Sequence, residues 1–131
     1  MILLDTNIVI HLFNGDRIVT QHLNTYAPQE IGISFITAGE LIFGAMKSHK
    51  KSDNLLKISR FCAQINVLHS NDAMASLFGE LKALSSLGGK FPGDHDLWIA
   101  ATALKNRIPL ITKNLRHFRW IENLQLEDWN S

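Results

Sequence analysis

Met1-Ile2-Leu3-Leu4-Asp5-Thr6-Asn7 opens the chain with four apolar residues that stop at a carboxylate. An unbroken apolar run of this length suits a strand buried on both faces, as in a parallel sheet covered by helices. After Asp5 the period changes: Ile8 and Leu12 share a helical face with Val9 at its edge, which predicts a helix over Thr6–Phe13.

The alternation repeats down the chain. Asn14-Gly15-Asp16 reads as a turn, Arg17–Tyr26 as a helix broken by Pro28, and Ile31–Phe35 as a second strand. Helices are expected over Thr37–Met46 and Ser52–Ala63, then a strand over Ile65–Leu68. Ser70-Asn71-Asp72 caps a helix running to about Ser86, which Gly88-Gly89 ends before a loop over Lys90–Gly93. The most apolar helix starts at His95 or Asp96 and runs through Leu104. Pro109–Thr112 is a fourth strand, Arg116–Trp120 a short helical turn, and Leu124–Leu126 an edge strand. Strands separated by helices imply crossover connections. The expected fold is α/β: one domain over residues 1–131, with a mainly parallel central sheet of four or five short strands flanked by helices.

Composition agrees. With 46% hydrophobic and 19% charged residues in a chain of 131, a packed core needs no disulfide staple. Cys62 is the lone cysteine, so no intramolecular disulfide forms, which fits a reducing compartment. No signal segment opens the sequence and no apolar run reaches membrane-spanning length, so a cytoplasmic protein is expected. The net charge of +1 does not by itself imply a nucleic-acid surface. Basic residues nevertheless cluster at Lys47, Lys50, Lys51 and Lys57, and again from Lys105 to Arg119. A solvated face is the ordinary reading of such runs.

In a sheet of this kind, ligands bind beyond the carboxyl ends of the strands. Asp5 is placed there, as are Ser34 and the segment Thr112–Asn114. Glu40 follows one turn into the helix after the second strand, and Asp96 opens the alanine-rich helix. Each acid has a structural explanation. Asp5 caps the helix at Thr6; Thr37-Ala38-Gly39-Glu40 fits a capping box; Asp94 is the natural cap for the helix of Asp96. Taken together, three carboxylates at one sheet edge repel one another, and a divalent cation removes that penalty. Magnesium, with manganese as its substitute, prefers such hard oxygen ligands, and no Cys or His pattern with zinc spacing is present. Thr37, Glu40, Gly44 and Lys47 lie on one helical stripe, which suits a phosphate backbone approaching a cation.

Leu3-Leu4-Asp5-Thr6-Asn7, Ile33–Leu41, Gly93–Ala101 and Thr112–Phe118 occur in this order, followed by Leu126-Glu127-Asp128-Trp129. The set resembles the PIN-domain ribonucleases, in particular the VapC-type toxins of toxin–antitoxin pairs. The resemblance implies a PIN-like fold and a magnesium- or manganese-dependent endoribonuclease. It places the metal-binding acids on Asp5, Glu40 and Asp96, with Asn114 as the polar residue of the fourth motif. Thr6, Asn7, Ser34 and Thr37 accompany those acids. A further acid often stands before the phenylalanine of the fourth motif; here that place is His117, which leaves the set short of one carboxylate or offers a phosphate contact. Lys47 and Lys82 are the expected substrate contacts, beside the reading of a solvated face. The implied partners are RNA, transfer RNA among them, a small VapB-like antitoxin, and a second copy of the chain in a homodimer or larger assembly. Two other readings stay open: a catalytically weak interaction module, and a nuclease acting on DNA or on nucleic-acid structure. Few aromatics can be assigned to base stacking, since Trp98, Trp120 and Trp129 all read as core or interface residues.

Overall fold

The computed structural model describes residues 1–88 and 93–131. Five short strands form one sheet: β1 (Ile2–Leu4), β2 (Ile31–Ser34), β3 (Asn66–Leu68), β4 (Leu110–Thr112) and β5 (Leu126–Asp128). All neighbours pair parallel, in the spatial order β3-β2-β1-β4-β5. The helices are α1 (Thr6–Phe13), α2 (Arg17–Leu23), α3 (Phe35–Met46), α4 (Lys51–Gln64), α5 (Asp72–Leu87), α6 (Asp94–Asn106) and α7 (Leu115–Phe118).

The chain adds β2 and β3 on one side of β1, then returns to build β4 and β5 on the other. The topology therefore reverses at β1, and the crevice beyond its carboxyl end is the preferred ligand position of such a sheet. The register fixes which residues reach that crevice. Leu4 pairs with Ile33 on one side and Ile111 on the other, so Asp5, Ser34 and Thr112 follow at one level.

Alternation along β1 divides the core in two. Ile2 and Leu4 pack with Ile8, Val19, Leu41, Ile58 and Trp129 on one face. Leu3 packs with Leu81, Leu97, Ala100 and Phe118 on the other. The small residues Ala100, Ala101 and Ala103 of α6 are fully buried, which lets this helix lie close against its neighbours. Trp129 is buried and stacks on His22 at a centroid distance of 4.8 Å, so it belongs to the core. Among the described residues, no helix is long and apolar enough to cross a membrane.

Several boundaries differ from those expected from sequence, each for a local reason. α2 stops at Leu23, and Pro28–Glu30 form a 3₁₀ turn in which the Glu30 carboxylate accepts from the Ala27 amide at 2.9 Å. Phe35 opens α3 instead of closing β2, because the Ser34 hydroxyl caps the helix by accepting from the Thr37 amide at 3.0 Å. Thr37 is thus an interior residue, and the expected capping box with Glu40 does not form. α6 starts at Asp94 with Gly93 as its cap; Asp94 is the first helical residue, not the cap. α7 starts at Leu115 and ends at Phe118. The last strand lies two residues later than expected, because its pairing begins where the Leu110 amide donates to the Gln125 carbonyl, just after the positive-φ turn at Asn123. Gly88 ends α5 as expected; the rest of the Gly88-Gly89 stop and most of the Lys90–Gly93 loop lie outside the described residues.

Candidate active site

Asp5 is the first residue beyond β1 and the cap of α1. Oδ1 accepts from the Thr6 amide at 2.8 Å, and Oδ2 accepts from the Thr112 hydroxyl at 2.9 Å. The residue is 4% exposed. Burial raises its pKa to about 6; the two hydrogen bonds oppose the rise, while the charges of Asp96 and Glu40 add to it. The capping and site readings of Asp5 therefore coexist, because one oxygen serves the helix and the other faces β4.

A chain of hydroxyls orients Glu40. The Thr6 hydroxyl donates to Glu40 Oε1 at 2.8 Å. Its single proton is thereby committed, so the 2.9 Å contact between Thr6 and Thr37 has Thr37 as donor. Ser34 in turn donates to Thr37 at a longer 3.4 Å. The sequence Ser34, Thr37, Thr6, Glu40 runs in one direction, and each bond polarises the next. Ser34, Thr37 and Thr6 are all buried, so they support the carboxylate from behind and are not open to a ligand in the same way as Asn7, which is exposed.

Two imidazoles stand against the remaining acids. His95 Nδ1 lies 2.9 Å from Glu40 Oε2, and His117 Nδ1 lies 2.8 Å from Asp96 Oδ2. Burial pushes the Asp96 pKa up; the His117 hydrogen bond and charge draw it down, and Glu40 raises it. The Asn114 side-chain amide sits 3.1 Å from the His117 ring nitrogens, while its backbone N–H donates to the Thr112 hydroxyl at 2.9 Å. Asn114 thus links the Asp5 support to the Asp96 support without itself lining the acidic groove.

That groove encloses about 540 Å³. Asp5, Thr6, Asn7 and Ile10 form one wall, α3 forms the other from Phe35 to Phe43, and His95 and Asp96 close one end. Asp5, Glu40 and Asp96 are thereby brought into one cavity. The donor set suits a hard divalent cation: three carboxylates, with two of them raising the pKa of the third. Among the described residues, however, no three acidic or histidine side chains converge closely enough to form a ready-made cage. The histidines hold oxygens that an ion would need.

The expected substrate lysines do not line the groove. Lys82 pairs with Asp94 at 3.2 Å on the surface, and Lys47 lies 4.5 Å over the Phe43 ring. Lys113, from the second basic stretch, is held at 2.9 Å by Asp16. The Lys113 hydrogen bond and the amides at the start of α2 lower the Asp16 pKa to about 2. Thr112 was expected at the ligand edge of the sheet but not as the partner of Asp5, and no site role was expected for His95. Thr112 carried a signal, its place at the end of β4; His95 carried none beyond its neighbour Asp96.

Comparison with known proteins decides the family. Residues 2–122 match the PIN domain. The chain is 35% identical over 129 residues to Ribonuclease VapC1 of Haemophilus influenzae, with 97% of this chain and 96% of that protein covered. The chain belongs to the PIN-domain family, among proteins of the VapC type. It is 32% identical over 128 residues to the tRNA(fMet)-specific endonuclease VapC of Shigella flexneri, covering 98% of this chain and 97% of that one. A similar solved structure is VapBC2 from Rickettsia felis bound to a DNA fragment from their promoter, with a TM-score of 0.91 and 32% identity. That likeness covers 99% of this chain and all of the matched one. The PIN-like fold expected from sequence is thus the fold observed.

Proposed function

We propose that this VapC-type chain is a metal-dependent endoribonuclease and the toxin of a toxin–antitoxin pair. One observation supports the chemistry most: Asp5 sits at the topological switch point, its carboxylate destabilised first by burial and then by the charges of Asp96 and Glu40 in a single groove. Asp5, Asp96 and Glu40 are the residues that would hold magnesium or manganese. When bound, such an ion acidifies water and neutralises charge developing on a phosphodiester. Thr112 and the Thr6 amide hold Asp5 in one orientation, and the Thr6 hydroxyl does the same for Glu40. His117 contacts Asp96 and Asn114 contacts the His117 ring, and the pair would accompany a phosphate once Asp96 turns toward the ion.

The substrate to test first is transfer RNA, following the specificity named for the Shigella relative. The partner is a VapB-like antitoxin, following the Rickettsia complex. A second cleft of about 340 Å³, floored by Leu41, Ala45 and Ile58, shares Ile10 and Glu40 with the acidic groove. A protein segment seated there would lie against the Glu40 carboxylate, which is a direct way to block the site. The purified chain, incubated with total RNA and with single-stranded DNA in magnesium or manganese, tests the reading. RNA cleavage that disappears in Asp5→Ala is expected. Intact RNA in both samples would favour an interaction module, and cleavage of DNA alone would favour a DNA nuclease.

A further inference from the structure

α3 carries two exposed aromatic rings along the acidic groove. Phe35 is 53% exposed and Phe43 is 62% exposed, although both residues belong to a helix whose other face is core. Both line the same cavity as Asp5, Glu40 and Asp96. Gly39 lies between them on the stripe Phe35, Gly39, Phe43, and a Cβ built there meets no atom within 4 Å. The groove wall is therefore ring, bare backbone, ring, with Glu40 beside the gap.

Each ring has a nitrogen-bearing side chain against it. The Lys47 ammonium lies 4.5 Å from the Phe43 centroid, and the His69 ring lies 5.6 Å from Phe35. Burying an apolar protein segment here would require the Lys47 charge to be desolvated or moved. A nucleotide instead offers a π-face to the ring and a phosphate to the ammonium.

Spacing selects the form of nucleic acid. The eight helical steps from Phe35 to Phe43 span about 12 Å along the axis. Stacked bases are about 3.4 Å apart. Bases seated on both rings are therefore unstacked from each other, and the backbone between them is extended across Gly39 and Glu40. A duplex does not offer that geometry, whereas an unpaired loop does.

We propose that Phe35 and Phe43 are stacking platforms for two unpaired bases of single-stranded RNA, flanking the phosphodiester presented to the carboxylates. The inference rests on the ribonuclease reading for its substrate class, and it assigns these rings to substrate binding and specificity.

The test measures binding of a fluorescently labelled single-stranded oligoribonucleotide by anisotropy, and cleavage of the same RNA, for wild type, Phe35→Ala, Phe43→Ala and Phe43→Trp. Each alanine variant is expected to bind about tenfold more weakly. KM should rise in proportion while kcat changes little. F43W should retain affinity, and its indole fluorescence should be quenched by single-stranded but not duplex RNA. Unchanged RNA affinity and KM in both alanine variants would overturn the inference. So would variants that handle RNA normally but lose antitoxin binding, which would assign the rings to a protein partner. RNA binding through the rings without any cleavage would overturn the ribonuclease reading alone; cleavage abolished by Asp5→Ala but untouched in both alanine variants would overturn the platforms alone.

Discussion

The Thr112 hydroxyl donates to Asp5 Oδ2 at 2.9 Å, joining the ends of two neighbouring parallel strands through a buried contact. This bond lowers the Asp5 pKa against the larger effect of burial. Thr112→Val keeps the shape and removes the donor, leaving a buried carboxylate oxygen without that partner. A loss of about 1–3 kcal/mol in stability is expected, measured by denaturant unfolding. Asp5 should also titrate above its wild-type value of about 6, which carboxyl-resolved NMR would show.

The pH dependence of stability follows from the same group. An ordinary aspartate in the unfolded chain has a pKa near 3.8, whereas folded Asp5 is raised to about 6. The folded state thus binds more protons between these values, and the Asp5 contribution to stability falls as pH rises from about 4 to about 6, then levels. In chelator, Asp5→Asn removes this dependence. The stability difference between variant and wild type should move in favour of the variant by up to about 3 kcal/mol between pH 4 and pH 8. Unfolding curves across that range check it; a constant difference would contradict the raised pKa.

A divalent cation should reverse that sign. Magnesium or manganese added at pH 7.5 is expected to raise the melting temperature of wild type, with roughly 2.7 kcal/mol gained at a hundredfold excess over Kd. Asp5→Asn and Asp96→Asn should lose most of the shift. An equal rise in all three proteins would place the ion elsewhere.

His117 occupies the position where the family resemblance leads one to expect an acid, and it holds Asp96 Oδ2 at 2.8 Å. His117→Asp removes that competing contact and adds a carboxylate. Manganese affinity measured by calorimetry should increase relative to wild type, and His117→Ala separates release of Asp96 from the added charge.

Much of this arrangement was legible in the sequence. The apolar run ending at Asp5 gave both β1 and the level of the site, because a short parallel strand offers few places for a buried acid. The Glu40 environment was not legible. Thr37 and Glu40 satisfied a capping pattern by spacing, but Ser34 took the cap, freeing Glu40 for Thr6 and His95. Those contacts join residues more than thirty positions apart, and no local pattern encodes them. The exposed rings of Phe35 and Phe43 were equally hidden: Phe35 read as the last residue of a strand, and Phe43 fell inside an expected helix with nothing to mark which side it faces. His95 and His117 became meaningful only when the fold set each imidazole against a carboxylate.

Joint action of Asp5, Glu40 and Asp96 on RNA is the proposed basis of activity. Mapping the cleavage of transfer RNA by purified wild type, Asp5→Ala, Glu40→Gln and Asp96→Asn in magnesium or manganese tests it most directly. Discrete cleavage by wild type is expected, suppressed by chelator and reduced at least about a hundredfold in each variant, about 2.7 kcal/mol in the barrier. Metal-independent cleavage, or cleavage that survives the loss of Asp5, would contradict it.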